Sequence, residues 1–177
     1  MLASGRFLFR PIVESDLPTF VEAVLESTNT VGKWMPWAHA NYTAAEAEAW
    51  FAHCQAEREN GSSYEFGIFD AESNRLVGGC GLNQFNPANG FCNLGYWVRQ
   101  SWQRRGAALA SIQALSHFAF AELKLGRVEI VVAEHNTPSL SAAARSGAVR
   151  ECLARNRLKI QGSFTDAYVF SLIAPDI

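Results

Sequence analysis

Along this chain the spacing of hydrophobic residues switches between two periods, and the switches predict the elements. Residues 6–13 (RFLFRPIV) alternate as a strand, and Pro11 either places that strand at an edge or ends it there. Leu17, Phe20, Val21, Val24 and Leu25 then recur at helical spacing, behind Ser15 and Asp16, whose side chains can accept from free N–H groups at a helix start. Residues 29–43 carry Gly32, Pro36 and three large aromatics, which reads as a loop. Thr43 followed by Glu46 forms a capping-box pattern. It predicts a helix to about residue 59 that buries Ala47, Trp50, Phe51 and Cys54 and stops at Gly61.

Three strand-like segments follow at 63–70, 75–84 and 91–98, separated by turn residues, and predict an antiparallel meander. A long helix is expected over roughly 106–123, with Leu109, Ile112, Leu115, Phe118, Ala119 and Leu123 inward. Residues 127–134 (RVEIVVAE) read as a strand, 137–146 as a short helix ended by Gly147, and 155–161 and 166–173 as two closing strands. The strand–loop–helix–strand crossover in the middle implies one parallel pair inside a largely antiparallel sheet. The expected class is therefore α/β, an α+β mixed sheet of about seven strands with about four helices.

Composition narrows the functional classes. A chain of 177 residues with 49% hydrophobic and 18% charged residues suits one globular domain, taken here as 1–177. The net charge of −2 supplies no broad field for nucleic acid or an anionic membrane. Cys54, Cys80, Cys92 and Cys152 form no C-x-x-C pair and have no histidine at zinc spacing, so no metal site is indicated and the thiols read as small apolar residues in a reducing cytoplasm. The first residues lack the layout of a secretion signal, and no stretch is long enough to span a bilayer.

The chemistry is expected where the strand FCNLGYWV leads through Arg99-Gln100-Ser101-Trp102 into Gln103-Arg104-Arg105-Gly106-Ala107-Ala108 and a helix. Unpaired N–H groups and the dipole at a helix N-terminus favour an anion. Gly106 permits a tight turn and close approach, Ala107 and Ala108 leave the first turn uncrowded, and Arg104 and Arg105 can add charge-assisted contacts to phosphate. The loop is neither a Walker A loop nor the three-glycine dinucleotide fingerprint. Taken alone, such a turn with two arginines is also a common surface feature.

The loop resembles the Gln/Arg-x-x-Gly-x-Gly/Ala signature of the GCN5-related N-acetyltransferases (GNAT) in Gln103, Gly106 and Ala108. Leu94-Gly95-Tyr96-Trp97-Val98, Trp34-Met35-Pro36-Trp37, Thr43-Ala-Ala-Glu46 and Asn136-Thr-Pro-Ser139 are similar to the ribosomal-protein alanine N-acetyltransferase branch, the RimJ/RimL type. The resemblance implies a GNAT-type fold whose central parallel strands splay apart around acetyl-CoA. The backbone around Tyr96, Trp97 and Val98 would pair with the pantetheine arm, and residues 103–108 would hold the pyrophosphate. Asn136 would bond the arm, and Ser139 would lie near the sulfur as proton donor to the departing thiolate. Tyrosine, the usual donor in many relatives, is replaced by Ala143. The carboxylate often found two residues before the glycine of the strand is Asn93, which can orient a water but take up no proton. A RimL-type glutamate is replaced by Arg157. Glu65, His135 or solvent are left as bases.

Trp34, Trp37 and Tyr42, with Glu65, are candidates for the acceptor site, although the aromatics could equally cover the core. Asn136 could simply cap its helix, Ser139 could be a solvated hydroxyl, and Arg99, Arg104 and Arg105 could be surface charges. Two functions follow: transfer of acetyl to a primary amine (a protein N-terminus, an amino acid or a small amine) by a monomer or homodimer, or a non-catalytic acyl-CoA-binding regulatory module.

Overall fold

The computed structural model describes residues 1–175. Its strands are β1 (Leu2–Ser4), β2 (Phe7–Arg10), β3 (Tyr64–Asp70), β4 (Leu76–Asn86), β5 (Phe91–Val98), β6 (Arg127–Ala133), β7 (Val149–Ile160) and β8 (Ser163–Ile173). Its α-helices are α1 (Leu17–Glu26), α2 (Ala44–Asn60), α3 (Ala107–Ala121) and α4 (Thr137–Arg145). The strands form one sheet in the order β1-β2-β3-β4-β5-β6-β8-β7. Every neighbouring pair is antiparallel except β5 and β6. The predicted mixed sheet, its parallel pair and its four α-helices are therefore present.

The structure sharpens three expectations. There are eight strands, because Leu2–Ser4 pairs with β2 across a turn at Gly5. The strand before Pro11 is accordingly interior, and Pro11 ends it after Arg10. The closing hairpin is longer than expected and begins at Val149, turning at Gln161 and Gly162, both with positive φ as a tight hairpin requires. Most β7 side chains are exposed, so that strand carries no alternation to read.

Local chemistry accounts for the helix starts. Thr43 N–H donates to Glu46 Oε2 (2.9 Å) and Glu46 N–H to Thr43 Oγ1 (3.3 Å), which closes the predicted capping box. Gly61 ends α2 in the left-handed region at φ +71°. Ala47 and Cys54 are buried as expected, but Trp50 is 38% exposed and lies beside His53. Asp16 does not cap α1 with its side chain. It closes a preceding 3-10 turn by accepting from Val13 N–H (2.9 Å) and takes two bonds from Arg10 (2.7 and 2.8 Å). Ala23 is buried in α1 with Phe20 and Val24, whereas Leu25 is exposed.

Helices cover the sheet on both faces. On one, Ile112, Leu115 and Ala119 of α3 are fully buried in a cluster with Phe66, Leu82, Cys92 and Leu94. Each such large side chain stabilises the fold by about 1.5–3 kcal/mol. On the other, Phe20, Val24 and Tyr42 pack with Phe69 and Leu76, with Trp97 at the margin. Successive residues of a strand face opposite sides. Leu94 and Tyr96 of β5 therefore face α3 and α4, while Asn93, Gly95 and Trp97 face α1 and α2.

Candidate active site

The parallel ladder between β5 and β6 is only three pairs long: Phe91 with Arg127, Cys92 with Val128 and Asn93 with Glu129. Beyond it, β5 keeps its ladder with β4 as far as Val98, and β6 keeps its ladder with β8 as far as Ala133. The two strands thus diverge after Asn93. Their facing backbone groups, from Leu94 and Ile130 onward, are not laddered to one another, and buried backbone groups need partners. An extended chain with alternating amide donors and acceptors has the chemistry to fill such a gap.

The loop at the open end of the gap is shaped for an anion. Arg104 has φ +62° and Gly106 φ +89°, so two left-handed residues flank Arg105. The first backbone bond of α3 runs from Ala110 N–H to the Gly106 carbonyl (2.9 Å). Among the described residues, the N–H groups of residues 104–109 have no acceptor in the chain, and Gly106 makes no side-chain cap. A Cβ on Gly106 would meet nothing within 4 Å, so the loop is uncrowded at that residue. Successive N–H groups turned this way at a helix N-terminus form an anion-binding concavity. Gln103 donates from Nε2 to the Val98 carbonyl (3.3 Å), tying the loop to β5, and Arg105 lies over the Trp102 ring (4.8 Å to the centroid). Arg104 and Arg105 are exposed, as are Gln103 and Gly106, while Ala107 is buried and Ala108 partly so.

No local signal in the sequence marks what holds this loop. Arg99, read as a possible surface charge, is 1% exposed. Its guanidinium donates to Glu26 Oε2 (2.5 Å) and to Glu22 Oε1 of α1. Ser101 N–H donates to Glu26 Oε1 (2.7 Å) and Gln100 N–H to Ser27 Oγ (3.1 Å). The start of the anion loop is therefore clamped to the end of α1.

Across the gap, Tyr96 reaches from β5 to α4. Its phenolic oxygen is 2.9 Å from Ser139 Oγ and donates to the Ser139 carbonyl at 3.2 Å. Burial raises the Tyr96 pKa above that of an ordinary phenol, the bond to Ser139 opposing, so the group is a neutral hydroxyl at physiological pH. Asn136 caps α4, accepting from Ser139 N–H with Oδ1 (3.4 Å), which leaves its Nδ2 available as a donor. Ala143 is fully buried against the core, so α4 offers no acid at that position.

The opposite face holds the acceptor-site candidates. Trp37, 40% exposed, packs edge-on to Trp97 (5.7 Å between centroids) and to Tyr42 (6.3 Å). Tyr42 is buried, and desolvation pushes its phenol up to about 12. Trp34 is half-buried in the same loop and, among the described residues, stands apart from this stack. The Trp97 side chain faces this side, away from that of Tyr96, so only its backbone borders the gap. Glu65 accepts from Ser63 Oγ (3.1 Å) and Asn83 Nδ2 (3.2 Å), and Asn93 Nδ2 donates to Asn83 Oδ1 (2.9 Å). Burial raises the Glu65 pKa above the usual carboxylate value. His135 and Arg157 are exposed. Asn83 carried no signal in the sequence, because only the register of β4 against β5 brings it to Asn93.

Residues 6–149 match the family model for the acetyltransferase (GNAT) domain. The chain belongs to that family. This acetyltransferase is 32% identical over 113 residues to the uncharacterized N-acetyltransferase p20 of Bacillus licheniformis, a match spanning 64% of each chain. Among solved structures, a Vibrio cholerae protein assigned as a ribosomal-protein-serine acetyltransferase superposes with a TM-score of 0.86 at 32% identity, covering 98% of this chain and 97% of that one. RimL, the ribosomal L7/L12 alpha-N-protein acetyltransferase in complex with coenzyme A, superposes with a TM-score of 0.86 at 23% identity, over 97% of this chain and 96% of its own.

Proposed function

We propose that this acetyltransferase moves the acetyl group of acetyl-CoA to a primary amine by direct attack within a ternary complex. The observation that carries the reading is the coincidence of a gap after Asn93 with a donor-lined loop at its open end. The free N–H groups of residues 104–108, with Arg104 and Arg105, would hold the pyrophosphate, while the Gln103 N–H expected among them is spent on the Gln100 carbonyl (3.3 Å). Backbone groups of Tyr96, Trp97 and Val98, with Asn136 Nδ2, would hold the pantetheine arm. Bound acetyl-CoA supplies a thioester carbonyl. A β5 backbone N–H near Tyr96 would stabilise charge on its oxygen, and Ser139 Oγ, held by Tyr96, would return a proton to the sulfur.

On the α1/α2 face, Trp34, Trp37 and Tyr42 would shape the acceptor site, with Asn93 and Glu65 as its polar members. The RimL likeness favours a protein N-terminus as acceptor, a ribosomal one included. A small amine or amino acid shares the same reacting group. The work would be done in the cytoplasm. Substituting Gly106→Glu tests the donor half. The added carboxylate brings a negative charge into the loop and would repel a bound anion, and the side chain strains a left-handed residue by about 1–2 kcal/mol. Calorimetric titration should show acetyl-CoA binding lost in a variant that still melts cooperatively. Unchanged affinity would sink the assignment. Tight binding by the wild type, with no thiol released on any of a panel of amines and N-terminal peptides, would favour the non-catalytic module.

A further inference from the structure

The α1/α2 face of the sheet carries an open slot beside the strand divergence. Glu65, Gly81 and Gly95 lie side by side across β3, β4 and β5. A Cβ on Gly81 would collide with the Glu65 carboxylate, so the carboxylate lies over that glycine. A Cβ on Gly95 would meet nothing within 4 Å. The space above Gly95 is flanked by Asn93 two residues before it and Trp97 two residues after it, on the same face. Neighbouring strands are about 4.8 Å apart, so the carboxylate over Gly81 is within reach of that space through a single water.

The polar groups there have a fixed polarity. An ionised carboxylate can only accept. Asn83 must therefore turn Nδ2 toward Glu65 and Oδ1 toward Asn93, and Asn93 must spend Nδ2 on Asn83. Asn93 Oδ1 is left over as an acceptor. Glu65 Oε1 takes both of its protein bonds, from Ser63 and Asn83, which leaves Oε2 free among the described residues. A group placed over Gly95 thus meets acceptors on two sides, which suits an ammonium.

We propose that the slot over Gly95 receives the acceptor's ammonium group, and that Glu65 takes its proton through one water molecule while Asn93 Oδ1 holds a second N–H. This rests on the acetyltransferase reading and supplies the base that Asn93 itself cannot be. The amine nitrogen keeps the electron pair of the broken N–H bond for its attack, and Glu65 becomes a carboxylic acid. Its proton leaves through the cavity of about 520 Å³ that Glu65 lines with Phe51, Cys54 and Arg58. The charged and titratable groups around Glu65 are Arg58, His53 and Cys54 of α2, Cys80 of β4, and Glu14 and Glu48 across the cavity. Arg58 and His53 favour its ionised form. Burial acts the other way and makes it a stronger proton acceptor than an exposed carboxylate.

The test compares wild type, Glu65→Gln and Gly95→Val on one primary amine chosen from a panel, by thiol release between pH 6 and 9. In Glu65→Gln, kcat/KM is expected to fall about a hundredfold at pH 7. It should then climb close to tenfold per pH unit as the free amine loses its own proton, whereas the wild-type profile should rise less steeply over that range. The Kd for acetyl-CoA should not change in either variant. Gly95→Val should raise the acceptor KM. Wild-type kcat/KM in Glu65→Gln, or a uniform drop with the wild-type pH profile, overturns the proton transfer. An unchanged acceptor KM in Gly95→Val overturns the slot. Failure of the wild type on every amine overturns the acetyltransferase reading itself.

Discussion

Ser139 and Tyr96 come from a helix and a strand separated by the gap, and their hydroxyls meet at 2.9 Å. A serine in a first helical turn is ordinarily solvated, but here a buried phenol with a raised pKa fixes its orientation. The contact holds the Ser139 hydroxyl in one place, which a lone serine on a helix surface lacks. Ser139→Ala should therefore lower kcat by about a hundredfold while leaving the acetyl-CoA Kd within twofold. Tyr96→Phe should lower it less, since the serine hydroxyl survives. Steady-state kinetics beside calorimetric titration will decide, and wild-type kcat in Ser139→Ala would remove the residue from the mechanism. Asn136 illustrates a residue whose two readings coexist: one amide atom caps α4, and the other is free for a ligand.

Between elements, the decisive contact is the clamp of α1 on the loop before α3. Glu22 and Glu26 are four residues apart on one face of α1, and Arg99 lies 77 and 73 residues further along the chain. Arg99→Met keeps the apolar stem and removes the bonds. The two carboxylates keep Arg75 and the Ser101 N–H as partners and are more exposed than the arginine, so the loss should be about 1–3 kcal/mol, below that of a fully buried pair. Because Gln100 and Ser101 hang on the same helix end, acetyl-CoA affinity should weaken as well. Denaturant midpoints and titration measure the two effects separately, and lost stability with unaltered affinity would show that the clamp does not position the loop. Local signals were legible: the Thr43–Glu46 capping box, the apolar stripe of α3, and the glycine that opens the anion loop. Pairings set by register were not. Leu2–Ser4 is too short to show a period and is held by β2, while β7 has little buried face to alternate. The Glu65–Asn83–Asn93 chain exists only because three strands align. A buried arginine looks like any other in a sequence until its partners are placed.

For the whole molecule, titration pulls stability in two directions. The Glu151 carboxyl is held down to about 2, first by Arg127 and then by Ser171. Its contribution is fully present above the ordinary carboxylate range and is lost as pH falls through the folded value. Glu65 has the opposite sign. Burial raises its pKa, so its contribution is fully present below the unfolded value and is lost as pH rises through the folded one. Wherever Glu65 is ionised it therefore costs the fold stability, and that is the state that can accept a proton. Glutamine copies the protonated shape and can still accept from Ser63 and donate or accept toward Asn83. Glu65→Gln should accordingly melt higher than wild type at pH 8, with the difference shrinking toward pH 4. Each kcal/mol would appear as about 2–4 °C. Scanning calorimetry across that range checks it without any substrate. A variant that melts lower than wild type at pH 8 would mean that the bonds from Ser63 and Asn83 to the charged form outweigh its burial, and the carboxylate would then be a stabilising element of the sheet. A higher melting point together with lost turnover would identify a group kept ionised for its chemistry against the interest of the fold.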